Sequence, residues 1–146
     1  MLRGPITRRR QNQRRYHLHL KKVEGQDCEF CKFGSGSSQV RETFHYFRLV
    51  ENIFGYDIWD GLGVSEHLML VPKRHVTGLH KFTKNESEEY MKLTAHFEEL
   101  GYSVYSRSTA NISKSVAHQH THLLRLDDKH KKALLFIRKP HLVVYF

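Results

Sequence analysis

The sequence predicts an α+β fold in which a mainly antiparallel sheet is joined by one long helix. Three observations lead there. Short segments rich in aromatic and β-branched residues recur along the chain. One stretch alone, from Thr83 to Gly101, has apolar residues at helical spacing between a start and a stop signal. The strand-like segments follow one another in runs rather than alternating with helices, which argues against a parallel sheet. With 146 residues, 39% of them hydrophobic, the chain suits one compact domain. No apolar run approaches the roughly 18 residues of a membrane span, so no membrane partner is expected.

The first segment, residues 1–22, is a basic arm. It holds Arg3, Arg8, Arg9, Arg10, Arg14, Arg15, Lys21 and Lys22 and no acidic residue. The rest of the chain, 23–146, is nearly neutral, so the net charge of +9 belongs to the arm. Because the arm has little to bury, it is expected to be disordered or to lie on a neighbouring surface. It reads as a solvated tail, as a segment binding RNA or another polyanion, or as an arginine-rich organellar transit peptide.

Next, Asp27-Cys28-Glu29-Phe30-Cys31-Lys32 places two cysteines close together, too few for a secreted disulfide framework. A reducing, cytoplasmic setting is expected. Phe33 to Ser38 is a Gly/Ser loop. Strands are predicted over Phe44–Val50, Asn52–Trp59 and, after a turn at Asp60-Gly61-Leu62-Gly63, over His67–Val71. The last is nearly continuous in apolar character, as in a buried central strand, and Pro72 ends it. Thr83 and Glu86 form a capping-box pair ahead of Tyr90, Leu93, Phe97 and Leu100, and Gly101 closes the helix. Strands follow at Tyr102–Arg107 and Val116–Leu126, then a short pair at Ala133–Ile137 and Leu142–Phe146 around Lys139-Pro140. Asn85-Glu86-Ser87 matches a glycosylation sequon, but it sits at a helix start in a chain with no evident secretion signal.

Within the strand predicted at 116–126, His118, His120 and His122 alternate with other residues. Side chains at i, i+2 and i+4 of a strand share a face, about 7 Å apart. Three adjacent imidazoles cannot all be protonated cheaply, so some are expected to be neutral near pH 7. A neutral imidazole is a nucleophile, a base or a metal ligand. The row can therefore attack phosphorus and bind phosphate oxygens, hold a metal as a three-histidine site, or be an incidental polar face. His17, His19, His45, His80, His96, His130 and His141 are expected to be surface residues.

The segment Ser115-Val116-Ala117-His118-Gln119-His120-Thr121-His122-Leu123-Leu124 resembles the histidine-triad motif, Gly-Gln-Ser/Thr-Val-x-His-x-His-x-His followed by two apolar residues. Glu66-His67-Leu68-Met69-Leu70-Val71-Pro72-Lys73-Arg74-His75-Val76 is similar to the second signature of that family. Asp27 to Lys32 is similar to the Cys-x-x-Cys-Lys of many bacterial relatives. The resemblance covers about Cys28 to Arg125.

It implies the histidine-triad fold over 23–146, structural zinc and a homodimer. The implied activity is that of a nucleotide-binding phosphohydrolase or nucleotidyl transferase. Its substrate would be a nucleoside phosphoramidate or a dinucleoside polyphosphate, attacked at the α-phosphate through a nucleotidyl-histidine intermediate. His120 would be the nucleophile. His122 and Ser115 would contact phosphate oxygens, while His118 and His67 orient the row. Asp57 or Asp60 would meet ribose hydroxyls. In zinc-bearing relatives the cysteine pair is completed by two histidines, which correspond here to His75 and His118, against an alternative of free thiols packed as small hydrophobes.

The chain departs from the motif at Ser113-Lys114, where the family has Gly-Gln. Lys114 can pair with a phosphate as a point charge. If the loop geometry that glycine permits is lost instead, the alternative function is a non-catalytic, zinc-stabilised nucleotide- or RNA-binding module. Ser108 to Asn111 also lacks the Gly-rich, acidic loop of relatives, and a metal hydrolase using the histidine row is disfavoured because no acidic base lies nearby in sequence.

Overall fold

The computed structural model describes residues 7–34, 36–111, 113–130, 134–138 and 141–145. Its central strand is β4 (Leu62–Pro72), antiparallel to β2 (Phe47–Glu51) on one side and to β6 (Thr121–His130) on the other. β1 (Val40–Thr43) lies outside β2, β5 (Tyr102–Ser106) lies outside β6, and β3 (Ile58–Trp59) pairs with the start of β4. β7 (Leu134–Arg138) and β8 (His141–Tyr145) form a separate antiparallel pair. The predicted ends at Ala133 and Phe146, the connection Lys139-Pro140 and residues 1–6 of the arm lie outside the described residues. The fold is α+β with an antiparallel sheet, as the sequence predicts.

Two strand boundaries move for local reasons. Phe44 N–H donates to the Phe47 carbonyl at 2.9 Å, so the chain turns there and β2 starts three residues late. Asn52 Oδ1 accepts from Phe54 N–H at 3.0 Å, a side-chain turn that keeps 52–57 out of the ladder. Only Asp60 and Gly61 form the next turn, both at positive φ, and β4 begins at once at Leu62.

Alternation along β4 divides the sheet into two faces. Leu68 and Leu70 pack with Leu49, Leu123, Phe97 and Tyr102 beneath the helix α2 (Lys84–Glu99). Met69 and Val71 pack on the other face with Val50, Phe30 and Phe33. His67 and Met69 therefore point the same way, and His122, opposite Met69 in register, joins them.

The capping box of α2 forms as predicted: Glu86 N–H donates to Thr83 Oγ1 at 3.3 Å, and Thr83 N–H to Glu86 Oε2 at 2.7 Å. Gly101 follows at φ 86°, the left-handed value that favours glycine after a helix. Glu86 is only 4% exposed and also accepts two bonds from Arg74, at 2.7 and 3.0 Å. Those bonds hold its carboxyl at about 2, below its ordinary value. A carboxylate held down in the fold contributes stability above its unfolded value and loses it as the pH falls. Glu86→Ala is therefore expected to cost about 2 kcal/mol at neutral pH, a difference that shrinks in melts as the pH falls toward 2. An unchanged melting temperature at neutral pH would contradict this.

Of the two expectations for the arm, disorder or lying on a neighbouring surface, its described residues take the second, and they add a helix to the one long helix the sequence predicts. Arg10–Val23 is a second helix, α1, extending one residue beyond the arm's assigned end. Its Arg, Gln, Lys and Leu residues favour helix and no Gly or Pro interrupts them. Tertiary contacts then dock it: Tyr16 and His19 meet the Phe54 ring at centroid distances of 5.5 and 4.8 Å. Ahead of the helix, Thr7 O accepts from Asp57 N–H at 2.7 Å and Ile58 N–H at 3.1 Å, and Arg9 N–H donates to Asp57 Oδ2 at 2.7 Å.

Candidate active site

The histidine row does not lie wholly on a strand, because β6 begins at Thr121. Before it the chain leaves the ladder and Gln119 N–H donates to Val76 O at 2.6 Å. The expectation that three imidazoles share one face is corrected accordingly. His120 and His122 stay together, ring centroids 5.0 Å apart, while His118 turns toward His75, 4.7 Å away.

Hydrogen-bond partners assign a tautomer to each ring. His67 Nδ1 accepts from Tyr56 N–H at 3.0 Å, so a neutral His67 carries its proton on Nε2. That Nε2–H donates to His122 Nδ1 at 2.9 Å and leaves the His122 proton on Nε2. His122 Nε2 is buried and has no partner among the described residues, as expected of a donor waiting for a ligand oxygen. His120 Nδ1–H donates to the His118 carbonyl at 2.9 Å, so the lone pair sits on Nε2. Burial, with added repulsion from nearby cations, pushes His67 down to about 3, His120 to about 4 and His122 well below its usual range. All three are neutral at pH 7. Burial is the larger cause, beyond the mutual repulsion apparent in the sequence.

His118 is the counterpart case. Its Nε2–H donates to Pro72 O at 2.9 Å, which turns an unprotonated Nδ1 toward Cys28 Sγ and Cys31 Sγ, each at 3.5 Å. His75 Nδ1 lies 3.2 Å from Cys31 Sγ. A 3₁₀ turn at Glu29–Lys32, with Cys31 N–H donating to Cys28 O at 3.1 Å, brings the two sulfurs to one side. The four donor atoms lie within 4.8 Å of one another. Tetrahedral zinc bound at about 2.3 Å to sulfur and 2.0 Å to nitrogen spaces its ligands roughly 3.3–3.8 Å apart, close to these separations. Burial and the adjacent Cys28 sulfur push the Cys31 thiol up, so a cation is what would hold both sulfurs as thiolates. The residues fit a metal ion.

A cavity of about 310 Å³ opens beside His120 and His122. Phe30, whose ring stands edge-on to His120 at 5.1 Å, forms one wall, and Tyr56, Ser115 and Arg107 line the rest. The arm contributes Arg8, Tyr16, His19 and Leu20, and the Tyr16 hydroxyl bonds the Ser115 hydroxyl.

Among solved structures, the chain superposes on a HIT family hydrolase from Clostridium thermocellum with a TM-score of 0.53 at 19% identity, covering 72% of this chain and 96% of that one. A HIT family hydrolase from Legionella pneumophila Philadelphia 1 gives a TM-score of 0.51 at 21% identity over 67% and 91%. A histidine triad protein from Clostridium difficile gives 0.51 at 19% over 72% and 94%. The fold is the histidine-triad fold. No protein-family model and no curated protein matches the sequence.

On this histidine-triad scaffold the other sequence-derived residues are dispersed. Lys114 is withdrawn from the cavity: its Nζ donates to Thr77 O and Gln119 Oε1, both at 2.8 Å, and burial lowers its pKa. The Ser-Lys substitution thus braces the loop rather than offering a charge to phosphate. Asp57 is engaged by Arg9 N–H and by Asn12 Nδ2, at 3.2 Å, and Asp60 sits exposed in the β3–β4 turn; neither lines the cavity. His67 acts behind His122 rather than on the cavity wall.

His19 is a correction to the surface expectation, since it lines the cavity and pairs with Glu29 at 2.8 Å. His45, His80 and His96 are exposed and His17 is half-buried, whereas the side chains of His130 and His141 lie outside the described residues. Arg8, Tyr16, Phe30, Tyr56 and Arg107 have no motif to flag them.

Proposed function

We propose that the protein is a nucleotide hydrolase or transferase acting at the α-phosphate of a nucleoside phosphoramidate or dinucleoside polyphosphate, with zinc held by Cys28, Cys31, His75 and His118. One observation carries this reading: a neutral, buried His120 with its lone pair on Nε2 stands next to a buried His122 Nε2–H that has no partner. The first is a nucleophile and the second an oxyanion donor, side by side on one cavity.

In the reaction His120 Nε2 forms a bond to phosphorus as the bond to the leaving group breaks, and the leaving group keeps the electron pair. Water then attacks phosphorus, the phosphorus–nitrogen bond breaks, and His120 regains its lone pair. Overall, water gives hydroxide to phosphorus and a proton to the leaving group. His122 Nε2–H and the Ser115 hydroxyl stabilise the charge on the phosphate oxygens. Cys28, Cys31, His75 and His118 would hold the metal, and that anchoring would fix the His118 backbone carbonyl that accepts from His120.

The test is incubation of the zinc-loaded chain with adenosine phosphoramidate and with diadenosine triphosphate. Release of AMP is followed, and rapidly quenched samples are weighed as intact protein. An adduct of nucleotidyl mass that appears and decays supports the reading. Tight nucleotide binding with neither adduct nor release overturns it in favour of the binding module.

A further inference from the structure

Two guanidinium groups stand on the cavity wall, and among the described residues neither is in an ion pair. Arg107, one residue beyond β5, donates from Nη2 to the Tyr56 hydroxyl at 2.6 Å and from Nη1 to Ser113 Oγ. Arg8, two residues ahead of α1, donates from Nε to the Phe54 carbonyl at 2.6 Å. Its guanidinium carbon lies 4.2 Å from the centre of the Tyr16 ring and 4.8 Å from that of Tyr56. The two cations thus meet on one tyrosine, Arg8 over its face and Arg107 at its hydroxyl.

Among the described residues, no carboxylate comes within ion-pairing distance of either guanidinium. Glu29, on the same cavity wall, is taken by His19, and Asp57 by the start of α1. Like charges held together and partly desolvated are costly unless an anion joins them. Burial lowers the Arg8 pKa and Arg107 adds to that effect, while Tyr56, Tyr16 and Asp57 oppose it. Arg8 is nonetheless held in place, because the Thr7 carbonyl before it is tied to Asp57 N–H and Ile58 N–H.

We propose that Arg8 and Arg107 form a subsite for a second phosphate, beyond the one His120 attacks, which makes the substrate a nucleoside di- or polyphosphate derivative with a phosphate leaving group. This rests on the function proposed above. The attacked phosphate already has His122 Nε2–H and Ser115, and a phosphoramidate carries no further phosphate to occupy two guanidiniums. In a phosphoanhydride the bond that breaks joins the α-phosphorus to a bridging oxygen, and the electron pair leaves on that oxygen. Charge then grows on the departing phosphate, where fixed guanidinium donors stabilise it.

The zinc-loaded full chain, Arg8→Gln, Arg107→Gln and Arg8→Lys are titrated calorimetrically with AMP and with ADP at one salt concentration. Rates on diadenosine triphosphate and adenosine phosphoramidate are measured beside them. The unaltered chain is expected to bind ADP about tenfold or more tightly than AMP, the worth of a charge-assisted contact. Each glutamine variant removes most of that preference while AMP affinity stays within about twofold, and Arg8→Lys restores part of it. The rate on the triphosphate falls more than the rate on the phosphoramidate. Equal affinity for AMP and ADP in the unaltered chain overturns the subsite while leaving the proposed function standing. Equal weakening of both nucleotides in the variants overturns it too, as a purely structural role for Arg8 and Arg107. Binding of neither nucleotide overturns both.

Discussion

Removing the metal by chelation, or replacing Cys28 with serine, is expected to lower the melting temperature by roughly 15 °C, the counterpart of about 5 kcal/mol. The donor set draws on three parts of the chain: the turn at Glu29–Lys32, the segment after β4 and the segment before β6. These form the wall of the site, and Phe30 and Phe33 from the first are buried there against Val50, Met69 and Val71. Without a bound ion, two sulfurs and two imidazoles are left facing one another, and the cysteine turn is held there chiefly by the packing of Phe30 and Phe33, with Phe30 against the His118 ring. Melts with and without a chelator, paired with elemental analysis, check this. One metal per chain and a large drop on its removal are expected. A chain free of metal that melts at the same temperature would leave the four residues as a thiol pair beside two histidines.

How much of this was legible in the sequence depended on whether the determining forces were local. β4 was legible because a continuous apolar run can be stable only where both faces are covered, and α2 because Thr83, Glu86 and Gly101 mark its ends. His120 and His122 were legible as chemistry, but the period-two argument failed for His118, since the ladder begins three residues later. What displaces it is a long-range partner set: Pro72 O on one ring nitrogen and the cysteine sulfurs on the other. Spacing within the motif does not contain that information. The pairing of Cys28 and Cys31 with His75 and His118 came only from resemblance to other sequences.

α1 illustrates the opposite limit. Its composition is that of a solvated tail, and none of its residues is fully buried, so no hydrophobic pattern announces it. Its docking depends on Phe54, Asp57 and Ser115, which lie 35 to 99 residues away in sequence and become neighbours only once the sheet exists. The same contacts draw Asp57 to the backbone at the start of α1 and away from the cavity wall.

His120→Ala is expected to lower kcat/KM for nucleotide release by roughly 10³-fold or more, as loss of a nucleophile does, with no change in metal content. The ring's bond is to the His118 carbonyl, not to a metal-ligand nitrogen, so its removal leaves the donor set in place. His67→Ala is a sharper probe of how the site is organised. Without the His67 Nε2–H, nothing fixes the proton of His122 on Nε2, and the donor facing the phosphate becomes one of two tautomers. A fall of about 10- to 100-fold is expected there, the range for groups that orient a functional ring from behind. The covalent adduct should still form, but slowly. In His120→Ala it should not form at all. Comparable adduct formation in both variants would place the nucleophile elsewhere than His120.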